Sequence, residues 1–467
     1  MHQTLQNDLR DIDIIFESAK NQGLDFLKNL PTRPTSTPQA MGVFQSLPQN
    51  GTGTMAALQD FNQRFEPIIM ACTGPRYWGF VTGGATPAAI VGDWLSGIYD
   101  QNSQGINGQG DVSARIELET IQLLLELFDL PKTFFGGFVT GATLSNFSCL
   151  AVARQWTGKQ TGKDIAKEGL FDKIPVLTAV PHSSAIKSLA MLGMGSQNFT
   201  KIKVLEGNRE AMDVQDLEQK LMALNGQAAI VIASGGTVNT VDFDNFLEIL
   251  KLKEKYPFWL HIDAAFGAFA ACSPRYKHLL EGWEMADSIT VDCHKWLNVP
   301  YDSAVFFIKN EHQLLQIESF QNSNAPYLGN PLQNFSYLNF VPENSRRNRA
   351  LPAWFTLMSY GKNGYQAIVE NSIAMAKAFG QYLENHTAFE LLAPTRLNTV
   401  CFTIKDNQSQ VAGFLNQLNA TGKVFMTPTY YNNKKGIRAA FVNWQTSETD
   451  IEIVKNTMEE VLKTGFE

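Results

Sequence analysis

Between residues 134 and 309 the chain alternates short, unbroken apolar runs with segments of helical periodicity, and no other feature restricts its fold as much. Phe134–Thr140, Pro175–Val180, Lys201–Leu205, Ala228–Ser234, Phe258–Ile262, Ser288–Asp292 and Ala304–Lys309 read as strands. Glu117–Leu130, Ala142–Trp156, Ser183–Leu192, Val214–Leu224 and Phe243–Lys255 read as helices. A strand with one wet face alternates polar and apolar residues. A run such as Ala228–Ser234 (AAIVIAS) does not, so both of its faces are covered. The pattern predicts an α/β fold with a mostly parallel central sheet, and such sheets hold ligands at the carboxyl ends of their strands.

The flanks differ. Residues 1–78 begin helical and become loop-rich around Pro31, Pro34, Pro38 and Pro48. That is weak material for a core and reads as an arm packed on something else, a second subunit included. Residues 79–345 form the large domain. Within it, 310–345 is rich in Asn, Gln, Ser and Pro and is either an active-site lid or a plain surface loop. Residues 346–467 read as a smaller α+β domain, with helices at Trp354–Tyr360 and Tyr365–Glu384, then two or three strands and two helices ending in Asp450–Lys463.

Composition removes several classes. Apolar residues make up 44% of 467, enough for a large core. The net charge of −7 argues against a nucleic-acid binder. No secretory signal opens the chain and no apolar run is long enough for a membrane span. The five cysteines are widely spaced without a C-x-x-C, so a disulfide framework or a structural zinc is not expected. A reduced, cytoplasmic protein fits.

Four features carry chemistry. Asp263 ends the apolar strand FWLHID. A buried carboxylate is costly unless paired, so a cation belongs beside it, in the simplest case an Arg or Lys of the protein. Lys295, in Asp292-Cys293-His294-Lys295-Trp296, follows the next strand; it is either a surface lysine at a turn or, partly desolvated, a Schiff-base amine. Gly136-Gly137-Phe138-Val139-Thr140-Gly141-Ala142-Thr143 joins a strand to a helix whose first turn carries Thr143 and Ser145. It is a phosphate cradle or a plain N-cap, and it matches neither a Walker loop nor G-x-G-x-x-G. His182 follows another strand and opens a helix, as a cap or as an aromatic stacker. An anion cradle, a stacking ring, a carboxylate for a ring nitrogen and an amine for a carbonyl are together what pyridoxal 5′-phosphate needs.

The segment from His261 to Lys309, HIDAAFGAFAACSPRYKHLLEGWEMADSITVDCHKWLNVPYDSAVFFIK, closely resembles the group II decarboxylases that use this cofactor. The shared marks are His-x-Asp-Ala-Ala at a strand end and, thirty-two residues after the aspartate, the lysine of His-Lys-Trp. GFVTGGATPAAIVGDWL (79–95), TGATLSNFSCLAVAR (140–154), Gly236-Thr237, FDNF (243–246), SRRNRAL (345–351) and VNWQTSETDI (442–451) extend the resemblance from about residue 75 to the end.

The resemblance implies the fold of pyridoxal-phosphate-dependent transferases (fold type I) and decarboxylation of an L-amino acid to its amine and CO2. Lys295 would carry the cofactor as an aldimine, Asp263 would hold the ring nitrogen protonated, Ala265 would lie beneath the ring and His182 above it. Ala142, Thr143 and His294 would surround the phosphate, Thr237 would line the cofactor site and Thr82 would lie near the substrate carboxylate. Tyr327 would match a loop tyrosine linked to protonating the substrate carbon, which favours decarboxylation over aldehyde formation. A homodimer with a shared site is implied, with Tyr301 and the 310–345 loop reaching across. The chain departs from its relatives at Thr237-Val238, where Thr-Thr is common, at Gly74-Pro75 in place of His-Pro, and at Asp292, where some have Asn. Another reaction on the same fold (aldehyde synthesis or transamination) and a catalytically silent binding protein are the alternatives.

Overall fold

The computed structural model describes residues 2–37, 45–105, 112–170, 172–321, 332 and 335–465. Its large sheet contains β1 (Phe134–Val139), β2 (Val176–Thr178), β3 (Thr200–Lys201), β4 (Ala229–Ser234), β5 (Phe258–Asp263), β6 (Ser288–Val291) and β7 (Ala304–Lys309), in the order β1-β7-β6-β5-β4-β2-β3. β2 to β6 pair in parallel, and β7 runs antiparallel to both β6 and β1. The unbroken apolar runs have the expected cause. Val231, Ala233, Leu260, Ile262, Val305 and Phe307 point into one core, while Ile230, Ile232, Trp259, Phe306 and Ile308 point into the core on the opposite face.

Several expectations need correction. The strand expected over 201–205 is only Thr200–Lys201, an exposed sheet edge, and Val204 makes a single bridge to Met212. The helix expected over 243–255 spans Phe246–Lys253, because Asn245 caps it through Glu248 N at 3.2 Å. Segment 310–345 is not irregular throughout. Gln313–Phe320 is a helix, pinned by Gln316 Nε2 donating to Phe340 O at 2.6 Å.

The C-terminal region holds four strands rather than two or three. They are β8 (Phe389–Leu391), β9 (Thr399–Ile404), β10 (Thr427–Tyr431) and β11 (Lys434–Ala440), paired antiparallel in the order β10-β11-β9-β8. β10 and β11 are joined by Asn432-Asn433, both at positive φ (48° and 58°), the two-residue turn whose twist suits a hairpin. This turn sets the register that places Arg438 opposite Thr427 and Cys401. The two helices expected after Arg349 are present within Ala350–Asn385 and meet at Gly361, whose backbone is not helical (φ 57°).

At the N-terminus, helices Gln3–Arg10, Ile12–Asn29 and Thr54–Arg64 bury none of their residues within the chain. The five cysteines are free, and among the described residues no helix is long and apolar enough to cross a membrane.

Candidate active site

β4, β5 and β6 are parallel neighbours, so their carboxyl ends deliver Ser234, Asp263 and Asp292 to one edge of the sheet. A cavity of about 390 Å³ opens there, lined by Lys295, Asp263, Ala265, His182, Ala142, Thr143, His294 and Thr237, among others. The eight residues come from five separate stretches of sequence. Thr82 is buried at the neighbouring wall, where its Oγ1 accepts from the Tyr301 hydroxyl at 3.4 Å. Tyr327 lies outside the described residues.

Asp263 lacks the protein cation that burial led us to expect. Its Oδ2 accepts from Asn146 Nδ2 at 2.9 Å and its Oδ1 from Ala265 N at 3.2 Å. Among the described residues no basic side chain forms an ion pair with it. A carboxylate held only by neutral donors at a cavity wall is configured for a cation that arrives in a ligand.

Lys295 is not a loose surface lysine. Its side chain keeps 15% of its exposure, and Nζ lies 3.5 Å from Asp292 Oδ2 and 5.6 Å from the centre of the Phe266 ring. The backbone of Gly83 passes directly over this turn. A Cβ at Gly83 would stand 1.9 Å from Lys295 O, so only glycine fits there. His294 Nδ1 accepts from Ser303 N at 3.2 Å, which leaves Nε2 2.9 Å from Asp292 Oδ1 in a contact too poorly aligned for a hydrogen bond. The ring of His294 packs against Tyr301 with centroids 4.2 Å apart.

The glycine turn leads into helix Ala142–Gln160, nineteen residues long, with no acidic residue in its first turn and no side chain capping it. Its first N–H groups therefore face the cavity as an anion site. Ser145 does not add a donor, as the sequence suggested. It is fully buried and bonds Thr290 Oγ1 (2.9 Å) and Val305 O (3.0 Å). Thr237 lines the cavity, but its hydroxyl donates to the buried Glu210 at 2.5 Å. His182 is the cap it was read as, and it also borders the cavity. It caps helix Ser183–Met191, accepting at Nδ1 from Ser184 N (3.2 Å), and its ring lines the cavity. Burial pushes its pKa below the usual histidine value.

The chain matches the pyridoxal-dependent decarboxylase conserved domain over residues 39–405. That span is well over half of its length. The chain belongs to the pyridoxal-dependent decarboxylase family. It is 25% identical to an aromatic-L-amino-acid decarboxylase of Catharanthus roseus over 94% of this chain and 92% of that protein. It is 26% identical to a phenylacetaldehyde synthase of a Rosa hybrid cultivar, with the same coverage. Among solved structures, Oryza sativa TDC with PLP and tryptamine superposes with a TM-score of 0.86 at 22% identity, covering 97% of this chain and 98% of that one. The fold is accordingly that of the pyridoxal-phosphate decarboxylases, and the cofactor of this carboxy-lyase family is pyridoxal phosphate. The cavity suits it on three counts: a carboxylate without a protein cation for a ring nitrogen, an uncapped helix start for a phosphate, and a lysine amine for an aldehyde.

Sequence reasoning missed Arg438, which reaches the same cavity from β11. Its Nη1 donates weakly to Asn239 Oδ1 at 3.4 Å, its buried Nε has no partner, and burial lowers its pKa. Among the described residues no carboxylate pairs with it. It also missed Asn146 and His261, buried polar groups behind Asp263.

Proposed function

We propose that this chain decarboxylates an L-amino acid to the amine and CO2, with Lys295 as the cofactor-bearing amine and Asp263 as the partner of the ring nitrogen. The observation that carries the reading is Asp263, a carboxylate that pairs with no cation among the described residues and shares its cavity with a lysine whose side chain keeps 15% of its exposure. When bound, pyridoxal phosphate supplies an aldehyde and a ring that takes up the electrons left by departing CO2. Asp263 keeps a proton on the ring nitrogen by electrostatic attraction in a water-poor site. Ala265 leaves room beneath the ring, His182 covers its other face, and Ala142, Thr143 and His294 surround the phosphate. Thr82 stands by the substrate. Tyr327, or a water positioned by His182, returns a proton to the substrate carbon. The test is product analysis: equimolar amine and CO2 are expected, and aldehyde with peroxide would overturn the reading in favour of the chemistry named for the rose relative.

Arg438, with an unpaired guanidinium in the cavity, takes a carboxylate of the substrate. Losing a charge-assisted bond is worth about 1.5–3 kcal/mol, so Arg438→Gln is expected to raise KM about ten- to hundredfold. An unchanged KM across aromatic, acidic and diamino substrates would remove Arg438 from recognition.

The working unit is a homodimer. Leu5, Leu9, Ile14 and Phe16 of the arm, and Val91, Trp94, Ile98 and Tyr99 of helix Pro87–Tyr99, are large apolar side chains that a single chain leaves exposed. A second copy covers them, dividing the chain into an arm (1–78), a cofactor domain (79–345) and a small domain (346–467). Full activity of a monomer at nanomolar dilution would contradict this.

A further inference from the structure

We infer that Asn146 is a positioning residue, the branch point of a one-way hydrogen-bond chain that holds Asp263 as an acceptor and orients the Ser184 hydroxyl toward His182. The inference rests on the roles proposed above for Asp263 and His182.

The direction of the chain is set at Asp263, whose carboxylate can only accept, and the far end agrees with it. Trp259 Nε1 can only donate, and its partner is Ser288 Oγ at 2.8 Å. The Ser288 hydroxyl hydrogen is then free for His261 Nδ1, 2.9 Å away. Trp259 and His261 are on β5 and Ser288 on its neighbour β6, so the sheet register fixes this part. His261 is fully buried, and burial lowers its pKa to about 4, so the ring is neutral with one N–H. With Nδ1 accepting, the hydrogen is on Nε2 and goes to Asn146 Oδ1 at 2.8 Å.

That bond sets the Asn146 amide. Both hydrogens of Nδ2 are then committed, one to Asp263 Oδ2 (2.9 Å) and one to Ser184 Oγ (3.0 Å). Ser184 passes its own hydroxyl hydrogen to His182 Nδ1 at 2.8 Å. With Nδ1 accepting, neutral His182 carries its hydrogen on Nε2. The opposite sense fails at the other end, because it would turn Asn146 Oδ1 onto Asp263 Oδ2 and face two acceptors at 2.9 Å. Asn146 thus bonds Asp263, the residue assigned to the ring nitrogen, and through Ser184 it reaches His182, the residue assigned to the opposite face. It is fully buried, so no water substitutes for it freely.

The two branches predict different losses. Asn146→Leu keeps the approximate volume and removes both donors. In the purified enzyme it is expected to raise the dissociation constant of pyridoxal phosphate, measured by absorbance titration, about tenfold or more. In an Asp263→Ala background the same change is expected to add less than about twofold, since the acceptor it serves is gone. Equal effects in the two backgrounds would reduce Asn146 to a packing residue and overturn the inference. Asp263→Ala alone leaving the constant unchanged would instead defeat the assignment of Asp263 itself.

Ser184→Ala cuts only the bond through the Ser184 hydroxyl. Cofactor affinity is expected to stay within about twofold, and the 15N signals of histidine-labelled enzyme are expected to keep His182 protonated at Nε2, because the backbone N–H of residue 184 still donates to its Nδ1. A loss of cofactor as large as that of Asn146→Leu would place the effect on the Ser184 branch rather than on Asp263 and would overturn the inference. Should Asn146→Leu fail to fold, Asn146→Asp retains the shape and the bond from His261 but sets a second carboxylate against Asp263, and is expected to lose cofactor more severely still.

Discussion

Lys295→Ala yields a folded protein that takes up pyridoxal phosphate without attaching it and turns over no amino acid. The fold survives because the side chain contributes little packing: Nζ sits at the cavity wall, 3.5 Å from Asp292, whose other oxygen still faces His294. Catalysis does not survive, because the remaining side chains lining the cavity offer no second primary amine. Removing a nucleophile that acts within a set commonly costs several orders of magnitude, and a fall of at least about 10⁴ in kcat is expected. Lys295→Arg separates charge from chemistry, since it can retain the contact with Asp292 but cannot link to the aldehyde. It should bind cofactor at least as well as the alanine variant and be equally inactive. The readouts are the visible absorbance of the attached cofactor, its retention on denaturing gels after borohydride reduction, and CO2 release. Wild-type turnover in either variant would remove Lys295 from the mechanism.

Asp263 and Lys295 were legible because their neighbourhoods are local in sequence. An apolar strand ending in a carboxylate, and a second strand running into His-Lys-Trp, fix two sheet edges, and parallel pairing of β5 with β6 brings them together. Arg438 was not legible, because its place depends on a hairpin turn of two asparagines rather than the usual Asn-Gly, and on the docking of one sheet beside another. Asn146 lies in TGATLSNFSCLAVAR among other polar residues, and nothing in that segment sets it apart. Only the structure shows that its two donors and one acceptor are all used. Of the two partners the sequence allowed Asp263, a protein cation and a ligand ring nitrogen, the first is not found among the described residues. The strand expected over 201–205 shows the usual limit, in that an edge strand extends only as far as its neighbour pairs with it.

Glu117→Ala is expected to destabilise the protein by about 3–5 kcal/mol without touching the active-site chemistry. Glu117 and Arg346 form the most deeply buried ion pair among the described residues, with side chains 0% and 1% exposed and Arg346 Nη2 2.5 Å from Glu117 Oε1. Neither charge has another counter-ion at bonding distance. Glu117 also accepts from Phe138 N and Ser103 Oγ, each at 2.8 Å, while Arg346 donates to Phe138 O at 2.9 Å and stacks on Tyr337 at 4.7 Å. The pair thus fastens helix Ser113–Leu127, β1 and the chain at 346 to one another. Truncating the glutamate leaves a guanidinium in a dry interior beside a new cavity, and it strands the Phe138 N–H. Arg346 already has one unsatisfied nitrogen, Nε, and Glu343, the other carboxylate whose charge it feels, makes no ion pair with it. Glu117→Gln keeps the acceptor oxygen and should lose about half as much. Replacing both residues with methionine removes the stranded charge and should recover much of the loss, because it is the unpaired ion rather than the missing attraction that costs most. Thermal and urea melts of the four proteins measure this directly. If Glu117→Ala melted with the wild type, the pair would have to be reached by water in solution, and the junction it fastens would be held by packing alone.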